Sequence, residues 1–127
     1  EMARLTGREV GEVQSDRVSC ARDYAENTGV HVVLKGAGTI VASPEGSCAV
    51  NRTGNHGLAT GGSGDVLAGC TAAFAGAGLA SWDASRLAVL VHGLAADRAA
   101  DAHGQHGLLP GDVIAALGPV LAGVFGR

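Results

Sequence analysis

Apolar residues in the first part of the chain change from helical spacing to strand spacing. Val18, Ala21 and Ala25 recur at intervals of three and four within the otherwise polar stretch 15–27, and a glycine follows shortly after it. This spacing predicts an amphipathic helix with a glycine stop. Residues 30–34 are then predominantly apolar and β-branched, a composition typical of strands buried on both faces of a parallel sheet.

The next apolar segments are short and are separated by residues that favour turns. Residues 39–42 and 47–50 flank Ser43-Pro44-Glu45-Gly46, which predicts a β-hairpin. Residues 51–64 are rich in Gly, Asn and Thr and have no apolar period, so we expect an extended loop there. Residues 1–12 are mixed and polar, and no element is predicted for them.

Helical spacing returns after the loop. Val66, Leu67, Cys70 and Phe74 mark a helix that runs to about Gly78.

Two further helices are predicted in the last third of the chain. Ser81 is a suitable N-cap for a long helix with Leu87, Val91 and Leu94 on its apolar stripe, ending near residues 103–104. A short final helix is expected over residues 110–117, because Pro stands at its start and Gly follows its end. The pattern of residues 119–127 favours no single element.

The size and order of these elements predict one α/β unit over residues 1–127, with helices covering a sheet. The chain has 127 residues, of which 46% are hydrophobic and only 3% aromatic. Its core must therefore rely on Leu, Val, Ile and Ala, which favours close helix packing.

Charge, cysteine content and hydropathy exclude several classes of function. Nine basic and 12 acidic residues give a net charge of -3 without a basic block, so nucleic acid is not an expected partner. The three cysteines are widely spaced, which suits a reducing compartment and argues against structural zinc. No apolar run reaches the length of a membrane span, so we expect a cytoplasmic protein that does not associate with a membrane.

The segment 53–67, Thr-Gly-Asn-His-Gly-Leu-Ala-Thr-Gly-Gly-Ser-Gly-Asp-Val-Leu, carries the strongest chemical signal. Glycines allow backbone amides to approach an anion, and the start of the following helix adds unpaired amides and a positive dipole end. The segment lacks the Gly-Lys-Ser/Thr of a P-loop and the spacing of a dinucleotide fingerprint. It therefore predicts a different kind of phosphate-binding loop.

Asp65 stands where this loop becomes a helix, and the local pattern leaves two interpretations open. It could be an ordinary first-turn acid that stabilises the helix by about 0.3–1 kcal/mol. It could instead be a general base that takes a hydroxyl proton while that oxygen attacks a bound nucleotide phosphate.

Other polar residues have both functional and simpler structural interpretations. Lys35 follows a predicted strand and precedes two glycines, so it is a candidate phosphate or adenine contact. His103 and His106 lack carboxylate or cysteine partners at ligand spacing and are expected in a surface loop, and no metal site built from protein side chains is expected. His92 is expected to be a satisfied core or interhelical histidine, Cys70 a packing residue, and Asp97 either a cap or a bridge to the glycine loop.

Several motifs together resemble one family. They are Lys35-Gly36-Ala37-Gly38-Thr39, the run from Asn55 to Asp65 followed by Val66-Leu67-Ala68-Gly69, His92-Gly93 with Ala96-Asp97, and Gly107-Leu108-Leu109-Pro110-Gly111-Asp112. In these the chain resembles the ADP- or ATP-dependent NAD(P)H-hydrate dehydratases of the ribokinase-like superfamily. His56 departs from the pattern, since relatives often have Pro or Ala there.

The resemblance implies a fold, a reaction and a set of residues. The implied fold is a three-layer α/β/α domain of the ribokinase-like (carbohydrate kinase-like) class. The implied reaction is the dehydration of hydrated NADH or NADPH, with Mg²⁺ as cofactor. In that reaction ADP is converted to AMP and phosphate, or ATP to ADP and phosphate. Asp65 would be the catalytic residue and contact the hydrated cofactor. The nucleotide would be bound by Lys35, Gly36, Ala37, Gly38 and Thr39, and by Asn55, His56, Gly57, Leu58, Ala59, Thr60, Gly61, Gly62, Ser63 and Gly64.

The resemblance also predicts that the chain is the C-terminal part of such a domain. The sequence begins at Glu1, where the family has a His-Pro-Gly before the glutamate whose His would contact substrate. The N-terminal half of the domain is expected as a partner, and relatives often form tetramers. Two alternatives stay open: a small-molecule kinase of the same superfamily acting on a thiazole or pyrimidine alcohol, and a non-catalytic nucleotide-binding module.

Overall fold

A computed structural model describes residues 1–126, which form two compact units. The first comprises Glu1–Asn51 and the second begins at Arg52. The first unit combines helices with a sheet and the second is helical, so the chain as a whole belongs to the α/β class, as predicted.

The first unit contains a three-stranded antiparallel sheet in the order β1-β2-β3. Val33 lies opposite Val41 in the first pair of strands, and Val41 lies opposite Ala49 in the second. The predicted hairpin is confirmed, with β2 and β3 as its strands. The elements are α1 (Met2–Thr6), α2 (Val10–Ser15), α3 (Arg17–Thr28), β1 (Val32–Leu34), β2 (Ile40–Ala42) and β3 (Cys48–Val50).

Helix α3 covers β1 and β2 and forms the core of this unit with them. The Asp16 carboxylate caps the helix by accepting a hydrogen bond from the backbone N–H of Ser19, at 3.1 Å. Gly29 ends the helix in the left-handed conformation, with φ of 71°. The predicted amphipathic helix is therefore confirmed. The core residues are Met2, Val13, Cys20, Ala21, Ala25, Val32, Ile40 and Ala42.

One expectation for the first unit is wrong, and one segment without a predicted element is helical. Residues 1–12 contribute α1 and the start of α2, and α2 begins with a reciprocal cap in which the Glu9 N–H donates to the Glu12 carboxylate at 2.8 Å. The strand predicted over residues 30–34 pairs antiparallel rather than parallel and starts only at Val32, since Val30 is 45% exposed. An apolar, β-branched run indicates a strand but does not determine the direction of its partner.

The second unit consists of three helices and two short 3₁₀ turns: His56–Leu58 precedes the first helix, and Gln105–Gly107 joins the second helix to the third. These helices are α4 (Ser63–Gly76), α5 (Ser81–His103) and α6 (Pro110–Phe125). Buried alanines at positions 95, 96 and 99 of α5 permit the close helix packing expected from the composition. The other buried members of this core are Val91, Leu108, Val113, Ala116 and Val120.

Two helix boundaries differ from those predicted. Helix α5 takes Ala80 as its N-cap, and Ser81 is its first residue rather than its cap. Helix α6 does not end at Leu117 but continues through Gly118 and Pro119 to Phe125. An internal proline costs about 3 kcal/mol relative to alanine, but Val120 beyond it is buried against α5, and tertiary packing offsets that cost.

Among residues 1–126, every helix falls short of the length or the apolarity that crossing a bilayer requires.

Candidate functional site

The glycine loop of the second unit is hydrogen-bonded to α5 through one carboxylate. Asp97 Oδ2 accepts from the backbone N–H of Gly54 at 2.9 Å, and Asp97 Oδ1 accepts from Asn55 Nδ2 at 3.0 Å. Asp97 is half-buried. Of the two roles left open for this residue, the structure places it as a bridge to the loop.

Asn55 then organises the loop from within. Its side-chain oxygen accepts from the backbone N–H of Gly57 at 3.0 Å and caps the 3₁₀ turn His56–Leu58. A side chain is excluded at Gly57, because a Cβ would lie 2.6 Å from the Gln105 carbonyl oxygen and 2.7 Å from Leu108 Cδ2. The segment predicted as an extended loop is therefore partly helical and closely packed.

Helix α4 begins directly after this loop, at a glycine whose conformation few other residues adopt. Gly62 has φ of 96° and is the N-cap of α4. The Ser63 N–H donates to the Thr60 carbonyl at 3.3 Å. Helix geometry leaves the amides of Gly64 and Asp65 without an intrahelical acceptor, and the helix dipole adds partial positive charge there. Such a turn can bind an anion.

Asp65 lies in the first turn of α4 with an exposed side chain. Within residues 1–126 its carboxylate has no ion pair or hydrogen-bonding side chain. A carboxylate in this state can receive a proton from a ligand that binds at the helix start.

The start of α4 rests on a polar contact with α5. The His92 side chain is only 7% exposed and lies against the Ser63 backbone. Burial lowers the pKa of His92, and the Ser63 backbone opposes that effect in part. His92 Nε2 and Ser63 Oγ are both buried without a hydrogen-bond partner in the described part of the chain. The expected burial of His92 is confirmed, but its Nε2 is not satisfied by any described residue.

Gly93, next to His92, allows the loop to approach α5. A Cβ at Gly93 would lie 2.1 Å from Thr53 Oγ1 and 2.7 Å from the Thr53 carbonyl carbon. The Thr53 hydroxyl donates to the Leu90 carbonyl at 3.2 Å. The His92-Gly93 motif therefore has a packing reason: only glycine leaves room for the incoming chain.

The other predicted segment, residues 35–39, belongs to the first unit and connects β1 to β2. Lys35 through Gly38 are exposed, and Gly36 and Gly38 have φ of 146° and 68°. Lys35 Nζ lies 3.4 Å from Glu1 Oε2, in an exposed ion pair of the kind that contributes about 0–1 kcal/mol. Lys35 is therefore available to an incoming ligand.

Sequence reasoning missed a residue that contacts this segment. Arg17, the first residue of α3, donates hydrogen bonds to backbone carbonyls on both sides of Gly36. No local motif could have revealed it, because the contact joins residues about twenty positions apart.

The remaining candidates, His103, His106 and Cys70, lie outside the glycine loop. His103 Nε2 lies 3.8 Å from Asp112 Oδ1, and His106 is exposed. Cys70 is half-buried, and burial raises the pKa of its thiol. Within residues 1–126, no three side chains of His, Cys, Asp or Glu are placed to hold a metal ion.

The family to which these loops belong is evident from a comparison of the chain with known protein families. The family profile for NAD(P)H-hydrate dehydratase matches residues 1–118. The chain belongs to the NAD(P)H-hydrate dehydratase family.

Individual relatives agree with this assignment. The chain is 52% identical over 108 residues to the bifunctional NAD(P)H-hydrate repair enzyme of Thermofilum pendens, a match that covers 85% of this chain. It is 43% identical over 114 residues to the ADP-dependent (S)-NAD(P)H-hydrate dehydratase of Neisseria meningitidis, covering 89% of this chain. The solved ADP/ATP-dependent NAD(P)H-hydrate dehydratase of Bacillus subtilis, co-crystallised with ATP/Mg²⁺ and soaked with CoA, superimposes with a TM-score of 0.90 at 36% identity over 94% of this chain. This dehydratase fold is the one expected from the motifs.

The chain spans only part of each relative. It covers 21% of the Thermofilum pendens enzyme, 38% of the Neisseria meningitidis enzyme and 44% of the Bacillus subtilis structure.

Proposed function

We propose that this dehydratase-family chain carries the nucleotide-binding loops and the catalytic carboxylate of an enzyme that converts hydrated NADH or NADPH to NADH or NADPH. In the reaction ADP would yield AMP and phosphate, or ATP would yield ADP and phosphate. The observation that carries the proposal is the start of α4, where free amides and the exposed Asp65 carboxylate share one helical turn.

The chemistry follows from the poor leaving ability of hydroxide. Asp65 takes the proton of the ring hydroxyl while that oxygen attacks the terminal phosphorus of the nucleotide. The phosphorus–oxygen bond to the departing nucleotide breaks, and a phosphate ester forms on the ring. Phosphate then leaves with the carbon–oxygen bonding electrons, and loss of a proton from the neighbouring ring carbon restores the double bond.

In this scheme the backbone amides of the loop stabilise the transferring phosphoryl group. Preorganised amide donors are effective because they need no reorientation as charge develops. The bonds from Asp97 to Gly54 and Asn55, together with the His92 contact to Ser63, supply this preorganisation on one unit. The segments proposed to bind the nucleotide are residues 35–39 and 55–64.

Mg²⁺ fits this site as an ion carried by the nucleotide. Protein sites of phosphoryl transfer usually bind Mg²⁺ through substrate phosphates and one or two carboxylates. Asp65 is the carboxylate on the turn that would receive the phosphates, so it is the residue of this chain that would contact the ion. When bound, the ion would neutralise phosphate charge.

The test is a comparison of Asp65→Asn with Asp83→Asn in the full-length protein. Asp83 is the matched control because it is also an exposed first-turn acid, at the start of α5. Asp65→Asn should reduce turnover of the hydrated cofactor by about a hundredfold or more, the range of general base catalysis, and should leave ADP or ATP binding in place. Asp83→Asn should change neither. Turnover is read from the absorbance of the reduced nicotinamide and from release of AMP or ADP.

The outcomes separate this function from its alternatives. Turnover of a thiazole or pyrimidine alcohol in place of the hydrated cofactor would identify a kinase. If both the wild type and Asp65→Asn bind nucleotide but show no turnover, the protein is a binding module. This alternative is tested because the chain covers only 44% of the solved Bacillus subtilis enzyme. Residues encoded upstream of Glu1 should read His-Pro-Gly after a further α/β stretch, if the chain is the C-terminal half proposed.

A further inference from the structure

One guanidinium group binds nearly the whole backbone of the segment that joins β1 to β2. Arg17 Nη1 donates to the carbonyls of Ala37 at 2.7 Å and Gly38 at 3.4 Å. Arg17 Nη2 donates to the carbonyls of Leu34 at 3.1 Å and Lys35 at 3.0 Å. Four carbonyls within five consecutive residues therefore point toward a single positive charge.

The remaining carbonyl of the segment is bound from within it. The Thr39 hydroxyl donates to the Gly36 carbonyl at 3.1 Å. Every carbonyl from Leu34 to Gly38 thus accepts a hydrogen bond from a side chain.

The direction of the carbonyls determines the direction of the amides. A trans peptide group is planar, and its N–H points opposite to its C=O; the described backbone contains no cis peptide. The carbonyls of Leu34, Lys35, Ala37 and Gly38 face Arg17, so the N–H groups of the residues that follow them face away from it. These are the amides of Lys35, Gly36, Gly38 and Thr39. These amides face the side of the segment opposite to Arg17, where they can donate to an acceptor that approaches from that side.

Gly36 and the start of α3 make this contact possible. A Cβ on Gly36 would lie 2.7 Å from Arg17 Nη2, so a side chain there would displace the guanidinium. On the other side, Asp16 caps α3 immediately before Arg17, and α3 packs on β1 and β2. The arginine is therefore attached to a fixed element, and the loop adapts to it.

Arginine suits this position better than lysine. Its planar fork presents several N–H groups in fixed directions, whereas a lysine ammonium is a compact charge on a flexible stem. An ammonium could keep the positive charge, but its three N–H groups on a single nitrogen lack the planar two-nitrogen fork that binds carbonyls on both sides of Gly36.

We propose that Arg17 is the positioning residue for the nucleotide-binding segment 35–39: it binds the carbonyl side of the segment and presents the amide side to the adenine nucleotide. The inference rests on the proposed function, since it assigns to that segment the same ligand. Arg17 itself does not contact the nucleotide.

The test measures steady-state kinetics of Arg17→Lys and Arg17→Gln in the full-length protein, with Arg22→Lys and Arg22→Gln as matched controls. Arg22 lies on the same helix with an exposed side chain. Both Arg17 variants should raise the KM for ADP or ATP about tenfold or more. This is the effect expected when the displaced segment loses one amide hydrogen bond to the charged nucleotide. Their KM for the hydrated cofactor should stay unchanged, and the Arg22 variants should resemble the wild type.

These readouts separate positioning from a role in stability alone. A residue needed only for stability would lower the melting temperature and the fraction of active enzyme, and so kcat, with the nucleotide KM unchanged. That result, or an equal rise of both KM values, would overturn the inference. An inactive wild-type protein that binds no nucleotide would instead overturn the proposed function.

A measurement on the wild type covers the case in which the variants do not fold. By NMR, ADP should shift the amide resonances of Gly36, Gly38 and Thr39, and the Arg17 side-chain N–H groups should stay protected from exchange with and without ADP. Release of the Arg17 protons on nucleotide binding, or unshifted amides in a protein that binds ADP, would contradict the proposal.

Discussion

Each candidate loop is stabilised by one charged side chain that forms hydrogen bonds with it. Arg17 binds carbonyls in the first unit, and Asp97 binds an amide and the Asn55 side chain in the second. Hydrogen bonds with one charged partner are about twice as strong as neutral ones. The conformation of each loop therefore depends on a residue far from it in sequence.

His92 gives the second unit a predictable pH dependence. Burial lowers its pKa from the ordinary value of 6.5, so below that value the unfolded chain binds a proton that the folded chain does not. The free energy of unfolding should therefore fall as pH is lowered through 6.5, with a slope of at most about 1.4 kcal/mol per pH unit for one proton.

The measurement is urea denaturation between about pH 7.5 and about pH 5.5, across the unperturbed titration range of histidine. His92→Gln should flatten the dependence, whatever it does to stability at the upper pH. His106→Gln, at an exposed histidine, is the control and should leave the slope unchanged. Equal slopes in the wild type and His92→Gln would contradict the assignment.

At the scale of elements, α5 is the platform on which the glycine loop is built. The Leu90 carbonyl, the bare backbone of Gly93 and the Asp97 carboxylate all contact residues 53–55, and their spacing of three and four places them on one face of the helix. The loop follows this face until it reaches the start of α4.

Asp97→Asn should weaken the hydrogen bonds between α5 and the glycine loop while keeping the side-chain volume nearly the same. The amide oxygen can accept from one of the two donors, but the new NH₂ group would face the other, either the Gly54 N–H or the Asn55 NH₂. We expect a loss of about 1–2 kcal/mol in the free energy of unfolding, measured by urea denaturation. Asp101→Asn, one turn later and exposed, is the control and should change it by less than about 0.5 kcal/mol. Equal stabilities for the two variants would show that the Asp97 bonds contribute nothing net.

At the scale of the whole molecule, large apolar side chains remain exposed on the first unit. Leu5 is 63%, Val10 64% and Val30 45% exposed. Exposed apolar surface of this kind promotes association, and we therefore propose that the 127-residue chain forms oligomers when it is expressed by itself.

Light scattering should give a mass above the 12.5 kDa of one chain, and Leu5→Gln combined with Val10→Thr should lower it. Gln14→Ser, on α2 with an exposed polar side chain, is the control and should not change the mass. A monomer at every concentration would contradict the prediction. The tetramer expected from the family is a separate question, answered by the mass of the full-length protein.

The sequence by itself determined the elements with a strong local pattern and the chemistry of the loops. Helical spacing located α3, α4 and α5, the turn residues located the hairpin, and the glycine motifs identified the family. These features depend on contacts between near neighbours, which a sequence displays directly. The roles of residues 35–39 and 55–65 stay predictions until a ligand is bound.

Only the tertiary structure decided which distant groups complete each loop and where packing overrides local preference. The direction of β1, the passage of α6 through Pro119, and the contacts of Arg17 and Asp97 with backbone far along the chain had no local signal. The physical reason is common to all of them. Burial and charge-assisted hydrogen bonds between remote segments contribute more free energy than the local propensities that a sequence pattern reports.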